Sequence, residues 1–431
     1  MNAFDKVIGY ESIKNELMQI CDMIKNREAF EKLGAKLPQG ILISGDPGLG
    51  KTLLAKCFIE ESGLPSFVVR RNKGNNDFVG EITETFRKAK ENAPAVVFLD
   101  DMDKFANEDD RHRDAAEYVA VQSGIDEVKN GNVFVIATVN ERQKLPASLT
   151  RAGRFDRKIE VESPNEEDAG KIISYYLSGK PVSRDIDMDD LCRIISYNSC
   201  AELESILNDA AINAASARKE QIEMTDIVKA VLRTQYNSPD DYTETSPEIK
   251  MQTALHEAGH LVVSEVLEPG SIGMASLKAR GRGGLGGFVH RCRSLSRKTF
   301  AVLISLAGKA AVELYYSETC ASGCQSDIHR AYDLIRNSIS TSGSCGLGLI
   351  EISNRDFRDP SESLTSRNEA VVHAELERYM FKTRDILLKN RDFLEKTADE
   401  LVKKETLLYS DIQKIRNSVK ITGLAEGILG I

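Results

Sequence analysis

Short apolar runs alternate with stretches of helical spacing between residue 39 and about residue 161. The β-rich runs fall at 41–43, 67–69, 95–99, 133–137 and 159–161, and this rhythm predicts a doubly wound parallel sheet. From 166 to 236 the spacing is helical, with helices expected over 201–217 and 224–233 and no convincing strand, so a small helical subdomain follows the sheet. Residues 237–247 are polar and include two prolines, the mark of a linker. A helix then opens at about Glu248, capped by Ser246 with Pro247 at its first position. The pattern stays mostly helical to about Val419, and 421–431 reads as a loose tail. The expected boundaries are 1–165 for an α/β domain, 166–236 for its helical lid, 237–247 for the linker, 248–420 for a mainly α-helical second domain and 421–431 for the tail.

Composition narrows the function classes. A chain of 431 residues is too long for one core. Hydrophobic residues make up 41% and charged residues 29%, which is globular rather than disordered. The net charge of −9 disfavours a general role on nucleic acid or on an anionic membrane, so no nucleic-acid partner is expected. No run approaches the roughly 18 apolar residues of a spanning helix, and the N-terminus has no signal-peptide pattern, so no membrane insertion is expected of this chain. The eight Cys are scattered without a C-x-x-C pair, which fits reduced thiols in a cytosol-like compartment better than a disulfide framework.

Gly45-Asp46-Pro47-Gly48-Leu49-Gly50-Lys51-Thr52 spells G-x-x-x-x-G-K-T between an expected strand and an expected helix, the order a P-loop requires. In such a loop backbone N–H groups surround phosphate oxygens, the helix N-terminus adds positive potential, Lys51 reaches the terminal phosphates of ATP and Thr52 helps to hold Mg2+. The run 95–99 ends in Asp100-Asp101. An acidic pair at a strand end can be a solvated edge. About fifty residues after a P-loop it reads as one carboxylate for Mg2+ and a second to orient the attacking water.

His256-Glu257-Ala258-Gly259-His260 fits H-E-x-x-H. On a helix the two histidines share one face and can ligate one Zn2+, with Glu257 as general base. A catalytic site of this kind needs a third protein ligand.

The N-terminal half of the chain resembles the AAA+ ATPases, and nearly the whole chain resembles the FtsH family of AAA+ zinc proteases. The resemblance implies a P-loop AAA+ fold with a helical lid, followed by a zinc peptidase domain. The segment Phe4-Asp5-Lys6-Val7-Ile8-Gly9 looks like the family's adenine-contacting entry, which transfers to Ile8 and Gly9. Asn140 matches its sensor asparagine. The run 149–157 is similar to its second region of homology, in which Arg151 and Arg154 would act as arginine fingers on a neighbour's γ-phosphate. That implies a homo-oligomeric ring, usually a hexamer. Phe78-Val79-Gly80 matches the pore loop that grips polypeptide. The segment 322–329 resembles the family's stretch with an aspartate zinc ligand, which transfers to Asp327, a residue that also suits the first turn of a helix. Glu313 and His329 are competitors for that place; His329, two residues from Asp327, projects elsewhere on a helix. Cys320 and Cys324 are left out, because soft thiolates would close the site as a structural one.

By resemblance, then, the chain is an ATP-dependent zinc metalloendopeptidase that takes Zn2+, ATP and Mg2+ and unfolds, translocates and degrades unfolded or misfolded proteins. It departs from the family pattern at four places. Asp101 stands where Glu is usual, Pro146 stands for an Asp, Asp126-Glu127-Val128 replaces an Asp-Gly-Phe signalling segment, and the pore segment is shorter. Asp101, Pro146 and the altered 126–128 segment motivate a rival, a nucleotide-controlled ring that binds or remodels proteins with weak ATP turnover, and a third reading is a freestanding peptidase with a vestigial ATPase. The family is usually anchored by N-terminal membrane helices, whereas the ATPase region here begins within the first ten residues. The expectation is a soluble ring in the cytoplasm; the alternative is a soluble piece of a membrane-anchored protein. Gly281-Arg282-Gly283-Gly284-Leu285-Gly286 spells G-x-G-x-x-G, but no helix follows. It reads as a flexible loop before an edge strand at 287–290, and in a protease of this type that edge could align substrate by strand addition.

Overall fold

The computed structural model describes residues 2–71, 77–106, 115–129, 131–151, 153–195, 197–238, 246–281, 284–316, 324–342 and 362–423. The elements run α1 (Glu11–Lys25), α2 (Arg27–Glu31), β1 (Gly40–Ser44), α3 (Lys51–Ser62), β2 (Ser66–Val69), α4 (Phe78–Glu91), β3 (Ala95–Leu99), α5 (Ala115–Val128), β4 (Val133–Val139) and β5 (Arg157–Glu160). Four helices follow, α6 (Glu166–Leu177), α7 (Met188–Ile194), α8 (Cys200–Ser216) and α9 (Met224–Tyr236). Then come α10 (Pro247–Leu267), β6 (Ile272–Gly281), β7 (Gly284–Arg291), α11 (Lys298–Glu313), α12 (Cys324–Ser342), α13 (Glu362–Lys389), α14 (Arg391–Lys404), β8 (Thr406–Leu408) and α15 (Tyr409–Asn417). Two compact units form, Met1–Lys180 with Ser196–Asn208, and Pro181–Ile195 with Asp209–Ile431. The stretch 166–236 is thus shared between them: α6 and the start of α8 cluster with the first unit, α7 and α9 with the second.

In the first unit five parallel strands stand in the order β2-β3-β4-β1-β5. β1, β3 and β4 are buried along their whole length because helices cover both faces, which is why these strands read as continuous apolar runs rather than as alternations. Leu42, Val97, Val135 and Ala137 point into one core, and Ile41, Ile43, Val96, Phe98 and Ile136 into the other. The second unit is mostly helical. Its core is built around α10, whose residues from Ala254 to Glu265 are all buried. An antiparallel sheet in the order β7-β6-β8 completes it. Part of the glycine run lies in strands rather than in a loop before one: Gly281 pairs with Gly284 and Ala279 with Gly286, while residues 282 and 283 lie outside the described residues. β7 is an edge strand, as expected. Among the described residues no helix is long and apolar enough to cross a membrane, and no disulfide joins any of the six described cysteines.

The pore-loop expectation for Phe78, Val79 and Gly80 is corrected. These residues form the first turn of α4, capped by Asp77, whose Oδ1 accepts from the Gly80 N–H at 2.9 Å. Phe78 is only 6% exposed and meets Phe105 edge-on at 5.3 Å between ring centroids. Phe78, Ile82, Phe86 and Ala89 form the buried stripe of α4, so the ring is core material at helical spacing. Phe78→Ala is expected to cost about 3 kcal/mol of stability, read as a lower urea midpoint for the first unit. An unchanged midpoint would return Phe78 to a surface role.

Candidate functional site

Two groups of polar residues sit on this scaffold, one in each unit. In the first, β1, β4 and β3 are neighbours, and their carboxyl ends bring the 45–52 loop, Asn140 and Asp100-Asp101 to one rim of the sheet, where open α/β sheets bind ligands. The Lys51 ammonium is buried and donates to the Asp46 carbonyl at 2.6 Å. Burial lowers its pKa, with Asp101 and Asp103 pulling the other way. Thr52 Oγ1 donates to Asp100 Oδ1 at 3.0 Å, so the loop threonine and the strand-end carboxylate already share one point where Mg2+ can bind. Asp101 has a left-handed backbone, φ 53°. Its carboxylate lies 2.6 Å from Lys104 Nζ and accepts from Asn140 Nδ2 at 3.3 Å.

Sequence reasoning missed Thr138. Its hydroxyl accepts from the Asp101 N–H and donates to Asp100 Oδ1, both at 2.9 Å, and so fixes both acids. The signal was there, a lone hydroxyl in the apolar run of β4. Also missed was the start of α8, where the Ala201 N–H donates to the Gly48 carbonyl at 3.1 Å and closes on the phosphate loop. At the N-terminus Ile8 is half-buried, and Gly9 packs on Asp168, whose Oδ2 accepts from the Tyr10 N–H at 3.2 Å. Arg151 is exposed. Arg154 is engaged by Asp126 through two hydrogen bonds, at 3.0 and 2.7 Å; Asp126 is the first residue of the segment that replaces Asp-Gly-Phe.

In the second unit α10 carries His256 and His260 one turn apart, and α12 brings Asp327 in from its first turn. His256 Nε2 lies 3.1 Å from Asp327 Oδ2 and 3.1 Å from His260 Nε2, and His260 Nε2 lies 3.3 Å from Asp327 Oδ2. Ligands at ~2.0–2.2 Å from a tetrahedral Zn2+ stand ~3.3–3.5 Å from one another, so the three donors converge as that ion requires. Burial works against the Asp327 carboxylate, yet hydrogen bonds from both histidines outweigh it and hold its pKa well below the usual range. His260 Nδ1 lies 2.7 Å from the Ile304 carbonyl, which fixes that ring with Nε2 turned toward the convergence. Cys324 Sγ lies 3.8 Å from His256 Nδ1, on the side away from the convergence. The other two competitors are elsewhere: Glu313 pairs with Lys309 and Arg384, and exposed His329 with Asp333.

Glu257 is buried beside the cluster, and burial raises its pKa against the opposing pull of the two histidines. A Cβ at Gly287 of β7 would fall 2.3 Å from the Glu257 side chain, and one at Gly308 of α11 would fall 2.4 Å from the His256 ring. Only glycine lets these two backbones approach the site so closely. Gly308→Ala is expected to push His256 aside and weaken zinc binding roughly 10- to 100-fold, measured by competition with a chromogenic chelator. Wild-type affinity in that variant would show that His256 does not hold the metal in this position.

Comparison with known proteins gives a family for each part of the chain. The family model for the ATPase family associated with various cellular activities (AAA) matches residues 41–163, and that for peptidase family M41 matches residues 243–415. The chain is 31% identical to the ATP-dependent zinc metalloprotease FtsH of Leptotrichia buccalis over 98% of its own length and 58% of that protein. It is 31% identical to ATP-dependent zinc metalloprotease FtsH 1 of Thermomicrobium roseum, over 96% of this chain and 68% of the relative. With FtsH of Thermus thermophilus it shares 29% identity over 96% and 70% of the two lengths. Less than two thirds of the first of these relatives is thus represented here, and it is the part that holds an AAA domain followed by an M41 peptidase domain. On that ground the chain belongs to the FtsH family of ATP-dependent zinc metalloproteases.

Proposed function

We propose that this chain is the working part of an ATP-dependent zinc endopeptidase, in which a ring of copies, a hexamer by family analogy, unfolds proteins and threads them to the peptidase. The observation that carries the reading is the convergence of His256, His260 and Asp327 beside a buried Glu257, on a chain that also holds a complete P-loop. His256, His260 and Asp327 would hold Zn2+, which would supply a Lewis acid to polarise a peptide carbonyl and bring the pKa of water toward neutrality. Glu257 takes the proton from the attacking water and passes it to the leaving amine. Its raised pKa suits a group that must both accept and return a proton. The open edge of β7 runs past Glu257 and can seat an extended segment by main-chain hydrogen bonds.

In the ATPase unit Lys51 and the N–H groups of residues 45–52 hold the phosphates of ATP, Thr52 and Asp100 hold Mg2+, and Asp101 with Asn140 orients water. Ile8 and Gly9 border the base. Arg151 and Arg154 act on the nucleotide of the next subunit, and Arg154 reaches it only by leaving Asp126. The substrates are unfolded or misfolded proteins. We place the assembly in the cytoplasm, with a membrane-anchored parent as the alternative.

A second reading, a nucleotide-controlled ring that remodels proteins with weak ATP turnover, is favoured by one observation: Asp101 is a methylene shorter than the usual Glu and is engaged by Lys104. Asp101→Glu is expected to raise ATP turnover at saturating Mg-ATP several-fold, and an equal or lower rate would count against the short acid as the limiting feature. The two activities should also separate by mutation. Glu257→Gln is expected to lower peptide hydrolysis 10²- to 10⁴-fold while ATP turnover persists. Lys51→Ala should abolish degradation of folded proteins while short peptides are still cut. Degradation of one folded and one unstructured protein, with ATP, without it and with a zinc chelator, reads both; ATP-independent loss of the folded protein would defeat the threading model.

A further inference from the structure

β7 has two faces that do different jobs. Residues alternate along a strand; Gly287 backs onto Glu257 and Val289 packs into the core around α10, while Phe288 and His290 turn the other way. Tyr236, the last residue of α9, packs on that other face. Its ring stacks on Phe288 with centroids 3.5 Å apart and planes 12° from parallel. Its hydroxyl lies 2.7 Å from His290 Nδ1, and His290 Nε2 lies 3.1 Å from the Arg193 carbonyl, next to the end of α7. A carbonyl can only accept, so Nε2 carries the hydrogen and Nδ1 accepts from the tyrosine hydroxyl. Burial keeps both groups in that state, pushing the Tyr236 phenol up to about 12 and lowering the His290 pKa.

We propose that Tyr236 is a positioning residue for peptide hydrolysis: through His290 and Phe288 it fixes where the edge strand lies against Glu257, and so how an extended substrate segment is seated. This rests on the reading that Glu257 is the base and β7 the seat. α9 runs into the segment that the sequence marks as the linker, and its last residue is tied to β7 through a directional hydrogen bond and an aromatic stack. The strand depends on this clamp because Gly284, Gly286 and Gly287 give it little side-chain packing of its own. Tyrosine rather than phenylalanine is needed, since only the hydroxyl can read the His290 tautomer.

The test uses the full chain, zinc-loaded and with Mg-ATP, as wild type, Tyr236→Phe and Tyr236→Ala. Tyr236→Phe keeps the stack and removes one hydrogen bond, worth about a 3- to 10-fold effect. Amide hydrogen exchange at residues 286–291 should speed up by that factor. KM for casein should rise by the same factor, while kcat, zinc content and ATP turnover stay within about twofold of wild type. Tyr236→Ala should enlarge both changes. Unchanged exchange at 286–291 in both variants overturns the clamp. Faster exchange with unchanged KM overturns its role in seating substrate, and a fall in zinc content and kcat without a change in KM means Tyr236 is only structural. Peptide cleavage by wild type that Glu257→Gln abolishes tests the underlying reading separately; no such cleavage removes the catalytic role, whereas the exchange result stands or falls without it.

Discussion

The second unit depends on burying a polar helix. From Ala254 to Glu265 α10 has no exposed face, yet it carries His256, Glu257, His260, Ser264 and Glu265. Burying such groups without partners costs several kcal/mol each, and the surrounding elements answer the two histidines and Glu265, while Ser264 Oγ has no hydrogen-bond partner among the described residues. Asp327 meets the two histidines, the Ile304 carbonyl meets His260, and the N–H groups of Gly270 and Ile272 donate to Glu265 at 2.9 and 3.3 Å. The apolar remainder of the helix, from Ala254 to Val263, fills the core. The packing that stabilises the unit and the packing that shapes the metal site are therefore the same contacts.

The first unit solves a different problem. Its rim residues come from three strands that are distant in sequence and adjacent in the sheet, and the order β3-β4-β1 is what makes them neighbours. A single hydroxyl, Thr138 on the central strand, then sets the acids of β3 relative to each other. Rim geometry on this side is carried by strand order and one hydrogen-bonded threonine, around the buried Lys51, Asp100 and Asp103.

Much of this was legible in the sequence where chemistry needs particular residue types at fixed spacing. The 45–52 loop sits between β1 and α3, Asp100-Asp101 ends β3, and the two histidines lie on one turn of α10, as the pattern predicts. Asp327 was reached only by resemblance, since nothing in its local sequence says which residue of the fold it faces. Apart from the Thr138 hydroxyl, what escaped were contributions made by backbone: the Ile304 carbonyl, the close approaches at Gly287 and Gly308, and the Ala201 N–H on Gly48 carry no side-chain signature. The misplacement of Phe78 is of another kind. Its spacing to Ile82, Phe86 and Ala89 marks the inner stripe of a helix, and motif likeness prevailed over periodicity.

The glycines of β7 bear on what such an enzyme can choose. A strand that recruits its partner through N–H and C=O groups reads a feature common to every residue except proline, and Gly284, Gly286 and Gly287 offer no side chains with which to discriminate further. On the proposed reading, selectivity at the scissile bond would be a matter of conformation: any stretch that can be drawn out into an extended line would qualify, and one still coiled into a helix or tucked into a hairpin would not. Such a peptidase would be indiscriminate toward sequence and strict toward shape, leaving the choice of victim to whatever pulls the chain straight.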